Sequence, residues 1–171
     1  MINLEIKVTT PNLEEIKERA IKIDAKNIAT LSQIDTYFLV GGKRLKLREE
    51  KDIDHLVYYV RSNKENSKLS KYHIITIPKN LVWWVKKLFS FIFGIKIIVH
   101  KNRHLFMYKN TRIHFDDVGN LGTFVELETV FNSNQKEDEL MAEHNFVIKA
   151  LGLDTLEKIP NSYSDLMIKK K

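Results

Sequence analysis

Along most of this chain apolar and polar residues alternate one by one, the two-residue period of a half-buried β-strand. The alternation covers 2–9, 31–40, 44–50, 55–61, 71–77, 96–108, 111–118 and 123–131, which predicts eight strands. Three stretches carry helical spacing instead, at about 11–25, 79–93 and 134–151. Thr10-Pro11-Asn12 suits the start of the first helix and Gly152 the end of the third. Gly41-Gly42, Lys109-Asn110-Thr111 and Asn120-Leu121-Gly122 mark turns between neighbouring strands. Eight strands joined mostly by short turns favour an antiparallel sheet that curls or closes. The expected fold is therefore α+β: an eight-stranded antiparallel β-barrel with helices packed outside. No repeat, linker or break in composition divides the chain, so residues 1–171 read as a single domain.

The strand faces differ in chemistry. Glu5 and Lys7 share one face of the first strand, opposite Leu4, Ile6 and Val8. Lys46 and Arg48 lie opposite Leu45 and Leu47, and Lys101 and Arg103 share a face. Arg112, His114 and Asp116 oppose Ile113 and Phe115, and Glu126 and Glu128 oppose Val125 and Leu127. A sheet with one face on a core and one in water produces such alternation. So does a barrel lined with charge whose apolar outer face is covered by helices. The recurrence of carboxylates and cations at two-residue spacing on strand after strand favours the second arrangement. Such an interior has to be paired or filled by ions, because unpaired buried charge is costly.

Charge and composition narrow the partners only in part. The 171 residues are 43% hydrophobic and 29% charged, with a net charge of +6, a globular composition whose basic excess attracts nucleotides, nucleic acid or acidic lipid alike. Here the basic residues sit beside carboxylates, so nucleic acid is not an expected partner. The absence of cysteine excludes disulfides and thiolate metal sites. It agrees with the cytoplasm, the expected location. Met1–Thr10 lacks the apolar block of a secretory signal. Residues 81–99 are rich in Trp, Phe and Ile, but Lys86, Lys87 and Lys96 interrupt them, and stable membrane insertion is not expected. Trp83 and Trp84 read as core and rim of that helix, with a contact to a second copy as the alternative. Lys169, Lys170 and Lys171 read as a solvated tail.

Taken in order, the motifs resemble the CYTH superfamily, which includes class IV adenylyl cyclases and thiamine triphosphatases. Asn3-Leu4-Glu5-Ile6-Lys7 resembles its N-terminal ExExK signature, with Asn3 in place of the first Glu. Gln33 to Phe38 and Leu45-Lys46-Leu47-Arg48 follow at the family's spacing, as do Tyr59-Val60-Arg61, Ser70-Lys71-Tyr72 and Lys101-Asn102-Arg103. The fullest match is Arg112 to Val118 with Leu121 to Glu128, and Ser162 to Leu166 resembles the closing motif.

The resemblance implies a triphosphate tunnel with a Mg²⁺ or Mn²⁺ cofactor. Glu5, Asp116, Glu126 and Glu128 are the implied metal ligands, hard oxygen donors suited to those ions. Lys7, Lys46, Arg48, Arg61, Lys101, Arg103 and Arg112 are the implied phosphate ligands, and Lys7 and Arg112 the implied catalytic pair. A nucleoside or inorganic triphosphate, ATP first, is the implied partner, and a homodimer is an expectation at family level. Conversion of ATP to cyclic AMP and pyrophosphate is the leading reading. A metal-dependent triphosphatase and a non-catalytic binder, in which Asn3 reflects a weakened metal site, are the alternatives. His114 reads as a residue that packs and hydrogen-bonds inside the barrel. The four-residue spacing of His100 and His104 suits zinc only on a helix, and theirs is a strand.

Overall fold

In the computed structural model, residues 2–60, 68–131 and 136–170 are described. In chain order they form β1 (Ile2–Thr9), α1 (Leu13–Lys22), β2 (Lys26–Phe38), β3 (Arg44–Glu49), β4 (Asp54–Val60), β5 (Lys68–Ile77), α2 (Lys79–Phe93), β6 (Ile95–Tyr108), β7 (Thr111–Val118), β8 (Gly122–Phe131), α3 (Glu137–Leu151), a 3₁₀ turn (Leu153–Thr155) and α4 (Tyr163–Lys170). All strand pairings are antiparallel, in the order β1-β5-β4-β3-β2-β6-β7-β8. β1 bonds to β8 along its whole length and to β5 over Ile2 to Glu5, so the order returns on itself.

The apolar strand faces point outward and the helices cover them. Ile6, Val8, Ile113, Phe115, Val125 and Leu127 pack with Ile16 and Ala20 of α1 and with Val147 and Leu151 of α3. Leu127, Ile113 and Val125 are fully buried there, where truncation to alanine costs about 2–5 kcal/mol for Leu or Ile. Phe38, Leu45 and Leu47 meet Val82, Val85 and Phe89 of α2. The core thus lies between sheet and helices, which leaves the inner face to charge. Asn12 caps α1, its Oδ1 accepting from the Glu15 N–H at 3.3 Å. Gly152, at φ +70°, ends α3 in the left-handed conformation that glycine adopts without a Cβ clash.

Two expectations change. Four helices form instead of three, because the closing motif opens α4 (Tyr163–Lys170), which takes in Lys169 and Lys170, both exposed. Ser162 starts it: its Oγ accepts from the Asp165 N–H while the Asp165 carboxylate accepts from the Ser162 N–H, both at 3.3 Å, a reciprocal cap. Lys170 then donates to the Asn120 carbonyl at 2.6 Å. The second change concerns α2. Trp83 and Trp84 are both more than half exposed and Phe91 is 89% exposed, so neither Trp belongs to the core. No helix among the described residues is long and apolar enough to cross a membrane.

Candidate active site

The inward faces enclose a cavity of about 460 Å³. The strand register explains its lining, since directly opposed residues project to the same side of a sheet. Across β1, β8 and β7 one row reads Glu5, Glu128, Arg112 and the next reads Lys7, Glu126, His114. Around the other side Arg48 of β3 opposes Asp35 of β2, and Lys46 opposes Tyr37. Lys101 of β6 opposes Gln33. The alternation seen in the sequence thus brings Glu5, Lys7, Lys46, Arg48, Lys101, Arg103, Arg112, Glu126 and Glu128 to one cavity. Arg61 and the Asn3 side chain lie outside what the structure describes.

The cationic wall is held from behind by a carboxylate that the sequence reading did not single out. Asp35 is 1% exposed. It accepts from Lys46 at 2.8 Å and from Arg48 through Nε and Nη2 at 2.7 and 2.9 Å, and Lys101 stands 3.6 Å away. Burial alone would raise its pKa, but Arg48, Lys46 and Lys101 hold it well below the usual carboxylate value. One acid cannot neutralise three neighbours. Burial, with Arg48 alongside, pushes Lys46 down to about 8. Burial and the Arg103 and Arg48 charges push Lys101 well down too. A polyanion entering here meets a cluster short of negative charge.

A second buried carboxylate braces Arg103. Asp116 accepts from Arg103 Nε and Nη2, both at 2.6 Å, and from the Tyr163 hydroxyl at 2.7 Å. It is fully buried and does not line the cavity. The expected metal ligand Asp116 therefore has its oxygens engaged in orienting Arg103 and Tyr163. Tyr163 in turn seats α4 against one end of the cavity, its ring 4.3 Å from Lys7 Nζ and 5.4 Å from Lys101 Nζ. Arg44 secures that end through a forked pair to Asp165, at 3.1 and 2.7 Å.

Three carboxylates remain on the opposite wall. Glu126 accepts from Arg103 at 2.8 Å and lies 3.6 Å from Lys7 and 3.9 Å from His114. Against the raising effect of burial, Lys7, His114 and Arg103 keep it well below its ordinary pKa. Glu128 stands 3.6 Å from Arg112 and directly opposite Glu5. Among the described residues no three acidic or imidazole side chains are gathered as a ready metal cage. The residues nevertheless fit Mg²⁺ or Mn²⁺, which commonly bind through one or two carboxylates plus substrate phosphates. Two like-charged carboxylates facing each other across a strand pair, as Glu5 and Glu128 do, are relieved by a cation. His114 is 4% exposed on the cavity wall, as expected of a residue inside the sheet, but its Nδ1 lacks a hydrogen-bond partner among the described residues. His104 pairs with Thr30 at 3.1 Å on β6, with no metal group around it among the described residues.

Comparison with known proteins shows the same fold in other chains. A protein of Methanocaldococcus jannaschii named "Putative adenylate cyclase MJ0240" is 25% identical over 173 residues, spanning 97% of this chain and 98% of that one. The PH1012 protein of Pyrococcus horikoshii superposes with a TM-score of 0.78 at 23% identity, covering 96% and 98% of the two chains. The Hippeastrum protein HpAC1, described as a "putative adenylyl cyclase" with a dominant triphosphatase activity, has the same fold at a TM-score of 0.69 and 11% identity, over 99% and 96%. The CYTH domain model matches residues 1–163, and with that match across nearly its whole length the chain belongs to the CYTH domain family.

Proposed function

We propose that the cavity binds a triphosphate with a divalent metal, and that the chain converts ATP to cyclic AMP and pyrophosphate. The observation that carries this reading is the division of one cavity into two walls. Lys46, Arg48, Lys101 and Arg103, positioned from behind by Asp35 and Asp116, face Glu5, Glu126 and Glu128. A polyphosphate on the cationic wall, with a divalent cation between it and the carboxylates, would satisfy both. The two Arg forks suit phosphate oxygens, and the Lys residues act as point charges.

In the proposed step the 3′-oxygen of ATP attacks the α-phosphorus, the bond from that phosphorus to the bridging oxygen breaks, and pyrophosphate leaves. A metal held by Glu5, Glu126 and Glu128 would polarise the phosphate and make the hydroxyl more acidic. Lys7 and Arg112, each 3.6 Å from a carboxylate of that wall, would balance charge developing on the phosphorus oxygens. The proton released by the hydroxyl leaves to solvent water, and Lys101 stays with the cations that hold the phosphates.

A triphosphatase is the second reading: the same walls serve water as nucleophile, as the description of the Hippeastrum neighbour suggests. Incubating ATP with the protein and Mg²⁺ or Mn²⁺, then separating products, decides between them. Cyclic AMP with equimolar pyrophosphate supports the cyclase. ADP with phosphate moves the assignment to hydrolysis, and no product in either metal overturns catalysis.

A further inference from the structure

α2 is apolar on two sides, although only one of them meets the sheet. Val82, Val85 and Phe89 pack with Phe38, Leu45 and Leu47. The other side carries Leu81, Trp84, Leu88 and Phe91, whose spacing makes one stripe along the helix. All four are exposed, from 47% at Leu81 to 89% at Phe91. The stripe runs for about 15 Å. At its C-terminal end the Leu39 N–H donates to the Gly94 carbonyl at 3.2 Å, which sets exposed Leu39 beside exposed Ile95. Helices apolar all round are ordinarily buried, and contiguous exposed apolar surface marks an interaction site.

The charge around this face says what covers it. From Lys79 to Phe115 the sequence contains no Asp or Glu. Glu49 and Asp54 reach α2 from the sheet, but Lys86 and Lys79 take them, at 2.7 and 2.8 Å. Lys87 lies within the stripe. It has no carboxylate partner among the described residues, and its ammonium stands 4.9 Å from the centroid of the Trp83 ring. A hollow of about 130 Å³ lined by Leu39 is walled also by Lys43, Arg44 and Lys96. Arg44 and Lys96 share Asp165, and Lys43 is exposed. A second copy set on the stripe by twofold symmetry would bury Lys87 against a helix that offers no carboxylate, which is costly. A bilayer surface takes apolar side chains into its interfacial layer and lets a long Lys chain carry its charge out to headgroup phosphates.

We propose that α2 docks the protein on anionic lipid bilayers. The helix lies in the plane of the interface, with Trp84, Leu88 and Phe91 in the interfacial layer and Lys87, Lys43 and Lys96 against acidic headgroups. It is too short to cross, so the docking is peripheral and reversible. No residue of α2 lines the cavity, so docking and triphosphate binding are separable.

Both tryptophans of the chain, Trp83 and Trp84, lie on α2, so their emission reports the docking. The test adds vesicles of phosphatidylcholine alone, or of phosphatidylcholine mixed with phosphatidylserine, and follows emission and co-sedimentation. The mixed vesicles should shift the emission to the blue and carry the protein down, with an affinity at least about tenfold above that for phosphatidylcholine and falling with salt. Phe91→Ser should weaken binding about tenfold or more, and Lys87→Gln about fivefold. Both side chains are exposed, so both variants should keep the melting temperature. Equal affinity for the two kinds of vesicle overturns the proposal, as does binding to neither. An emission shift that follows protein concentration without vesicles, with a dimer in sedimentation velocity that Phe91→Ser dissolves, gives the face to a second copy and also overturns it.

Discussion

Asp35 is the residue on which the cationic wall depends. Removing its charge by Asp35→Asn leaves Lys46, Arg48 and Lys101 buried beside one another with no direct counter-ion from that position. Breaking a buried ion pair by deleting one partner costs about 3–5 kcal/mol, and denaturant unfolding should show a loss of that order. The loss should depend on pH with a definite sign. Lys46 has a folded pKa of about 8, below its ordinary value, and the variant lowers it further. The unfolded chain then binds more protons than the folded one between the folded and ordinary lysine values, so stability rises with pH through that window. Arg48 cannot shed its proton, so part of the penalty persists. The unaltered protein shares that rise above its own Lys46 value of about 8, so the loss should shrink with rising pH below about 8 and level off above it, and a loss unchanged on the way up to pH 8 would contradict this account. The sequence made Lys46 and Arg48 legible because alternation alone puts them on one face. Asp35 was harder to see, because it lies in a motif whose other residues are mostly apolar or neutral. Its signal was a lone carboxylate directly across from a basic strand, which needs the β2–β3 register to be seen. For Asp116, alternation gives the face of the side chain, not the bonds that Arg103 and Tyr163 make to its oxygens.

At the scale of elements α4 connects fold to site. Its first turn supplies Tyr163, which holds Asp116 and thereby Arg103, and its cap supplies Ser162 on the cavity wall. Ser162 also accepts from Arg44 at 2.8 Å. Ser162→Ala removes the cap and should cost about 1 kcal/mol, in the 0.5–2 kcal/mol range for such caps. Tyr163→Phe keeps the ring and removes only the hydroxyl that donates to Asp116, so a similar loss of about 1 kcal/mol is expected. Both are read by thermal unfolding, and triphosphate binding measured alongside should weaken with them. Unchanged stability in both would mean that α4 is not held by these bonds. The helix was legible in principle, since Ser162-Tyr163-Ser164-Asp165 is a capping signature. Its short length hid its period, and the lysines of its last turn, Lys169 and Lys170, read as part of a tail. The eight strands, by contrast, followed directly from their two-residue period. The extension of β2 back to Lys26 did not, because residues 26–32 lie mostly exposed in a strand that owes its length to pairing with β6.

For the whole molecule, the governing fact is an inverted sheet, with apolar faces outward under helices and charge inward. Folding this arrangement without ligand leaves lysines with depressed pKa values on one wall and Glu5 facing Glu128 on the other. Ligand and metal together should therefore raise stability more than either alone. Ligand at about 100 times its dissociation constant adds about 2.7 kcal/mol. In a domain of this size that corresponds to a rise in melting temperature of roughly 5–10 °C. Tripolyphosphate with Mg²⁺ should produce that shift, excess chelator should remove most of it, and sulfate at matched ionic strength should not reproduce it. Glu128→Gln separates a metal-binding wall from a merely structural one. The substitution removes one of two opposed carboxylates, so the melting temperature without ligand should change by no more than about 2 °C. The Mg²⁺-dependent part of the shift should fall by about half or more, because an amide offers the ion a neutral oxygen in place of a charged one. If the variant instead melts lower without ligand and keeps the full Mg²⁺-dependent shift, then Glu128 serves the fold through Arg112, and the metal has to be held elsewhere in the cavity.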